Sequence, residues 1–174
     1  MEKKEFTRTG REVTVADRVM DKIVKGVAVI TTKSGGKING MAAAWFNRVS
    51  EQPFLMMVSI WKENYTHDLI RMSGVFAINI MAEGQQELAR HFGRQSGRDV
   101  EKFSSIEYEV RKTGAPILKD CLAFMDCRVH GSLEVGDHTI FVGEILDSGF
   151  QKAGEPLIYD RLDYPYLTEE ELKG

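Results

Sequence analysis

The stretch "CLAFMDCRVHGSLEV", residues 121–135, limits what this chain can fold into more than any other. One set of alternate residues is Cys121, Ala123, Met125, Cys127, Val129, Gly131, Leu133 and Val135. The other is Leu122, Phe124, Asp126, Arg128, His130, Ser132 and Glu134. Successive side chains of a strand point to opposite faces, so the alternation predicts one long strand with an apolar and a mostly polar face. Gly131 marks a bend in it. "VGDH" then reads as a tight two-residue hairpin turn, with "HTIFVGEIL" as the returning partner. A strand of that length fits a closed, curved sheet better than a flat one.

The rest of the chain supplies shorter elements. "TVADRVMDKIVKG" predicts a helix capped by Thr14 with Asp17 in a capping box, an apolar stripe of Val15, Val19 and Ile23 widened by Met20 and Val24, and a stop at Gly26. "VAVITT" is a strand, "KSGGK" a turn, and "INGMAAAWFNRVS" the returning strand. "PFLMMVSIW" is a third strand, and its continuous apolarity predicts burial on both faces. "ENYTHDLIRMSG" reads as a short helix capped by Asn64 or Thr66 and ended by Gly74. "VFAINIM" is a strand, and "GQQELARHFG" a second short helix with Leu88, Ala89 and Phe92 inward. Residues 94–114 are polar, anchored by Phe103, Ile106, Tyr108 and Val110, and "PLIYD" reads as one more strand. The sum is a mainly β single domain over residues 1–174, with six or seven largely antiparallel strands and a few short helices.

Composition narrows the function. A net charge of -3 argues against a nucleic-acid partner, which calls for a basic face. No apolar run approaches the ~20 residues that span a bilayer, and "MEKKEFTRTGREV" has no apolar core after its charges, so no membrane association and a cytoplasmic location are expected. Cys121 and Cys127 lie about 20 Å apart along a regular strand, too far for a disulfide, and read as buried thiols. His67, His91, His130 and His138 show no metal-ligand spacing.

Three segments carry candidate chemistry. In "WKENYTHD" a buried strand ends at Trp61 and a helix begins directly after Lys62. Unsatisfied amides at a helix start favour an anion; Lys62 adds charge, and Asn64 and Thr66 add donors. The combination suits a phosphate, or equally a capped surface helix with a solvated lysine. In "GMAAAW" small residues stand where a strand normally carries bulk, which marks close approach of something. That something is either a neighbouring helix or a planar ring such as an isoalloxazine, with Trp45 against one face. His138 follows a tight turn; it is either a polar residue beside a turn or an imidazole able to orient a hydride donor or move a proton. Arg90, Arg94 and Arg98 form a basic stretch, either solvated or guiding an anion. No nucleophile elbow, P-loop or GxGxxG is present.

Taken in order, "INGMAAAWFNRVSEQPFLMMVSIWKENYTHDLIRMSGVFAINIM", "ELARHFG", "GDHTIFVGEIL" and "PLIYDRLDY" resemble the flavin reductase-like proteins with an FMN-binding split barrel, and among them the flavoredoxin and ferric-reductase-like branch. The resemblance runs over residues 19–164. It implies a homodimer of six-stranded antiparallel barrels with FMN near the interface. It places Ala43, Ala44, Trp45, Phe46 and Asn47 along the flavin, and Ser59, Ile60, Trp61, Lys62, Asn64 and Thr66 around the ribityl phosphate. Phe92 and Arg94 match a segment that approaches the cofactor, and His138 matches a histidine on the nicotinamide side. Many relatives carry Thr, Ser or Asn where this chain has Ala42 and Ala44, so backbone groups, Asn39 and Asn47 are expected to substitute. The implied activity is that of an FMN-binding oxidoreductase, with NAD(P)H as donor and flavin, a ferric chelate or a protein as acceptor. The alternatives are an electron-carrier flavoprotein that does not oxidise NAD(P)H, and a split-barrel module binding another ligand such as haem.

Overall fold

The computed structural model describes residues 4–7, 10–160 and 167–168. In chain order the elements are β1 (Glu5–Phe6), α1 (Val15–Met20), β2 (Ala28–Ser34), β3 (Lys37–Ala43), β4 (Phe46–Glu51), β5 (Phe54–Trp61), α2 (Tyr65–Ser73), β6 (Val75–Ile80), α3 (Gln86–Gly93), β7 (Tyr108–Val110), β8 (Pro116–Leu118), β9 (Ala123–Val135), β10 (His138–Phe150) and β11 (Leu167–Thr168). They fall into two compact units, Met1–Lys25 with Ile158–Gly174, and Gly26–Leu157. No helix among the described residues is long and apolar enough to cross a membrane.

The larger unit is built on an antiparallel sheet of seven strands, in the order β3-β2-β6-β9-β10-β5-β4. The fold is mainly β, as the alternating patterns require, but the main sheet has seven strands rather than six. The added strand comes from "INGMAAAWFNRVS", which is not one returning strand. It breaks at Ala44 and Trp45 into β3 and β4, and these take the two opposite edges of the sheet. Only two residues join the edges, so the sheet must curl until its ends meet. Side chains from β2, β5, β6, β9 and β10 accordingly share one interior with Ile70 of α2. Ala28, Ile30, Met56, Val58, Ile60, Phe76, Ile78, Cys127 and Phe141 fill it, and Met41, Ala43 and Phe46 from the two edge strands pack against it.

The long hairpin forms as the alternation predicts. β9 and β10 pair over their length, closing at Val135 and His138, with a bulge where Val142 faces Gly131 and Gly143 faces Val129. The two faces of β9 do not divide cleanly into apolar-in and polar-out. Phe124 and Asp126 are buried, and Thr113 satisfies the Asp126 carboxylate through its backbone N–H at 2.9 Å and through its hydroxyl. At the far end Leu133 is 63% exposed and Val135 47%. β5 is buried on one face only: Met56, Val58 and Ile60 turn inward, while Leu55, Met57 and Ser59 are half-buried. Its apolar residues on the outer side made it read as buried on both. "PLIYD" yields no strand. Leu157 donates to the Met81 carbonyl and accepts from Val27, and Pro156 forms an isolated bridge with Ala82, without a continuous ladder.

α2 stops where Gly74 enters the left-handed region at φ 68, its N–H bonded to the Ile70 carbonyl. α3 turns Ala89 and Phe92 inward with Leu88 half-buried, as its period predicts. In the smaller unit Thr14 and Asp17 do form the capping box that starts α1. The helix ends at Met20 rather than running to Gly26, tightening into Lys22 N–H to Val19 and Ile23 N–H to Met20 bonds. Its expected stripe is not buried: Val15, Val19, Met20, Ile23 and Val24 are all exposed.

Candidate functional site

The start of α2 is assembled from three segments distant in sequence. β5 ends at Trp61, and the Lys62 N–H donates to the Asp137 carbonyl at 3.0 Å, tying the strand end to the β9–β10 turn. Asn64 stands at the N-cap with extended backbone, but its side chain makes no capping bond. The His67 N–H reaches back to the Asn64 carbonyl, and the amides before it are left to other partners. Thr66 does not cap. It is buried and accepts from Asn39 Nδ2 of β3 at 3.0 Å. Lys62 Nζ lies 3.1 Å from Glu134 Oε2 of β9, and that hydrogen bond holds the Glu134 carboxyl below the usual carboxylate range.

The third segment is the loop after α3. Gly97 lies so close to Asn39 that a Cβ there would stand 2.1 Å from the amide oxygen. Beside it Arg98 donates Nη1 to the Glu63 carbonyl at 2.9 Å and Nη2 to Asp68 Oδ2 at 2.7 Å, with its guanidinium over the Tyr65 ring at 5.1 Å. Two cations, Lys62 and Arg98, therefore flank one helix start. Spacing alone had no means of selecting Arg98 over Arg90 and Arg94.

A second patch lies on the outer face of the sheet. The Ser59 N–H donates to the Trp45 carbonyl at 2.9 Å. Trp45 is 47% exposed, and its ring centroid lies 4.8 Å from that of His138. His138 pairs in register with Trp61, and its Nδ1 lies 2.7 Å from Asp137 Oδ1. Trp45, Ser59, Trp61 and His138 thus gather at the same strand ends, with Lys62 next along the chain. Ala43 pairs with Ala28, and Ala44 follows at the break between β3 and β4. Asn47 is exposed and accepts from the Arg48 N–H.

Other expected residues sit differently. Ile60 is wholly buried, and Phe46 packs from the barrel edge onto the same interior. Phe92 is 1% exposed. It rests against Phe103 and on Gly40, where a Cβ would stand 3.0 Å from the ring. Lys102, also buried, donates to the Gly40 and Phe92 carbonyls at 2.9 Å each. Arg94 is exposed at the C-cap of α3. The small residues of β3 therefore answer two needs: Gly40 admits the helix α3, while the alanines lead to the open edge beside Trp45.

These residues fit a flavin mononucleotide. One end offers an unclosed helix start with Lys62 and Arg98; Glu63, Asp68 and Glu134 lie beside these cations. The other end offers an exposed indole, an imidazole and small residues that keep backbone groups accessible. Residues 20–168 match the flavin reductase like domain. The chain belongs to that family.

Among relatives, the high molecular weight rubredoxin of Moorella thermoacetica is 33% identical over 144 residues, covering 82% of this chain and 63% of that protein, so the chain spans less than two thirds of it. The ferric-chelate reductase (NAD(P)H) of Archaeoglobus fulgidus is 33% identical over 140 residues, 79% of this chain and 83% of that one. The solved structure of the NADH:FAD oxidoreductase SgcE6 of Streptomyces globisporus superposes with a TM-score of 0.79 at 28% identity, covering 87% of this chain and 89% of that one. The flavin reductase barrel is the fold this chain shares with that structure.

Proposed function

We propose that the protein is an FMN-binding oxidoreductase that takes electrons from NAD(P)H and delivers them to free flavin, a ferric chelate or a protein. The observation that carries the reading is the pairing of Lys62 and Arg98 at the start of α2 with the Trp45–His138 patch at the neighbouring strand ends. Lys62, Arg98 and the α2 amides bind the phosphate as charge-assisted donors. Backbone groups around Ala43, Ala44 and Ser59 meet the ring edges, and Asn39 steadies Thr66 beneath. Trp45 shields a ring face from water, and His138 orients the nicotinamide. Bound flavin supplies hydride and single-electron transfer, so the chain needs no covalent side-chain catalyst.

The finer reading is a homodimer with the flavin near its interface. It is supported by the apolar residues that the outer sheet face leaves exposed, Trp45, Leu133 and Val135. A cytoplasmic location accompanies it. The kinship with a high molecular weight rubredoxin favours one second reading, an electron carrier with the same flavin site and no NAD(P)H oxidation of its own. Titration of the purified chain with FMN and with riboflavin, followed by flavin fluorescence, tests the site. FMN is expected to bind at least about tenfold more tightly, as a phosphate contact would give. Equal affinity removes the phosphate assignment, and no binding of either removes the reading.

A further inference from the structure

A run of side-chain contacts leads from Arg98 at the surface through Asp68 to the buried His67 and Thr139. Arg98 Nη2 donates to Asp68 Oδ2 at 2.7 Å. The other oxygen of that carboxylate, Oδ1, faces His67 Nδ1 at 3.5 Å. His67 Nε2 lies 2.9 Å from Thr139 Oγ1, and Thr139 adjoins His138, whose ring lies against Trp45. His67 and Thr139 are only 2% and 3% exposed, so water does not satisfy them in place of each other. The imidazole also packs 5.4 Å from the Phe141 ring, which leaves it little freedom to turn.

The chemistry of the partners sets the proton. An ionised carboxylate only accepts, so Asp68 favours N–H on Nδ1. Nε2 is then bare and accepts the Thr139 hydroxyl proton. We propose that His67 is a positioning residue, held as its neutral Nδ1–H tautomer between Asp68 and Thr139, which ties Thr139, the neighbour of His138 on β10, to the start of α2 that Arg98 holds. The functional consequence rests on the flavin reductase reading; the tautomer does not.

Two measurements decide the proposal. Long-range proton–nitrogen spectra of the imidazole rings are recorded on the full chain without flavin, at about neutral pH, with His67→Gln to assign the resonance. The expected ring carries its proton on Nδ1, and Thr139→Val shifts the bare Nε2 signal. A ring protonated on Nε2 overturns the proposal. The second is the rate of anaerobic flavin reduction by NADH. His67→Gln, which holds Thr139 through its amide, is expected to restore most of the rate that His67→Leu loses. His67→Leu, which holds nothing, is expected to be about tenfold slower in kcat with an unchanged KM for NADH. A His67→Leu chain as fast as wild type, or a His67→Gln chain as slow as His67→Leu, overturns the positioning role. A wild-type chain that NADH does not reduce at all removes the flavin reductase reading instead, and the spectra still decide the tautomer.

Discussion

Gly143 leaves no room for a methyl group. A Cβ there would stand 2.5 Å from Phe76 Cζ and 2.9 Å from Cys127 Cβ, both in the barrel interior. Neither neighbour has slack, so Gly143→Ala is expected to destabilise the fold by about 1–3 kcal/mol, read as a lowered urea midpoint. At the site, Lys62→Glu puts a second carboxylate beside Glu134 where the reading places a phosphate. FMN affinity is expected to fall by about tenfold or more, with riboflavin affinity unchanged, by fluorescence titration. The position of Lys62 and Asn64 at a helix start was legible because a strand end followed at once by a helix start is a local signal. Arg98 was not, since its partners Glu63 and Asp68 lie far back in the chain and meet it only after folding. The inward face that carries Phe92 was legible from its period, but its seat on Gly40 was not, since that contact joins residues far apart in the chain.

At the scale of elements, period and turn chemistry carried most of the information. The β9–β10 hairpin, the stop at Gly74 and the inward face of α3 follow from residues within a few positions of one another. The break between β3 and β4 was illegible because the apolar run "MAAAWF" passes through it without a turn residue. What ends β3 there is the closure of the barrel, a long-range demand. The inward stripe expected of α1 failed for a similar reason: periodicity says which residues share a face, not whether anything covers it. The break makes a prediction. Ala44 is half-buried between the two edge strands, so Ala44→Leu is expected to leave the thermal midpoint nearly unchanged while lowering flavin affinity by about tenfold. Retained affinity would mean that the alanines face protein instead.

For the whole molecule, the interior sets the behaviour of the two thiols. Burial pushes Cys121 and Cys127 up to about 12 from an ordinary value of 9.0. A thiol raised in this way stays protonated when folded while the unfolded chain ionises. Stability is therefore lost as pH rises above about 9 and goes on falling toward about 12. A thiol reagent at mildly alkaline pH is expected to leave the native chain unlabelled and to label both cysteines in urea. Outside the closed interior, Trp45 stands against His138, and Lys62 and Arg98 flank the start of α2. The proposed flavin on this outer face, reduced by NAD(P)H, is tested by the absorbance spectrum of the FMN-loaded protein mixed with NADH or NADPH without oxygen. Fast bleaching of the flavin bands is expected; bands that stay unbleached over minutes with either nucleotide exclude an NAD(P)H-dependent reductase.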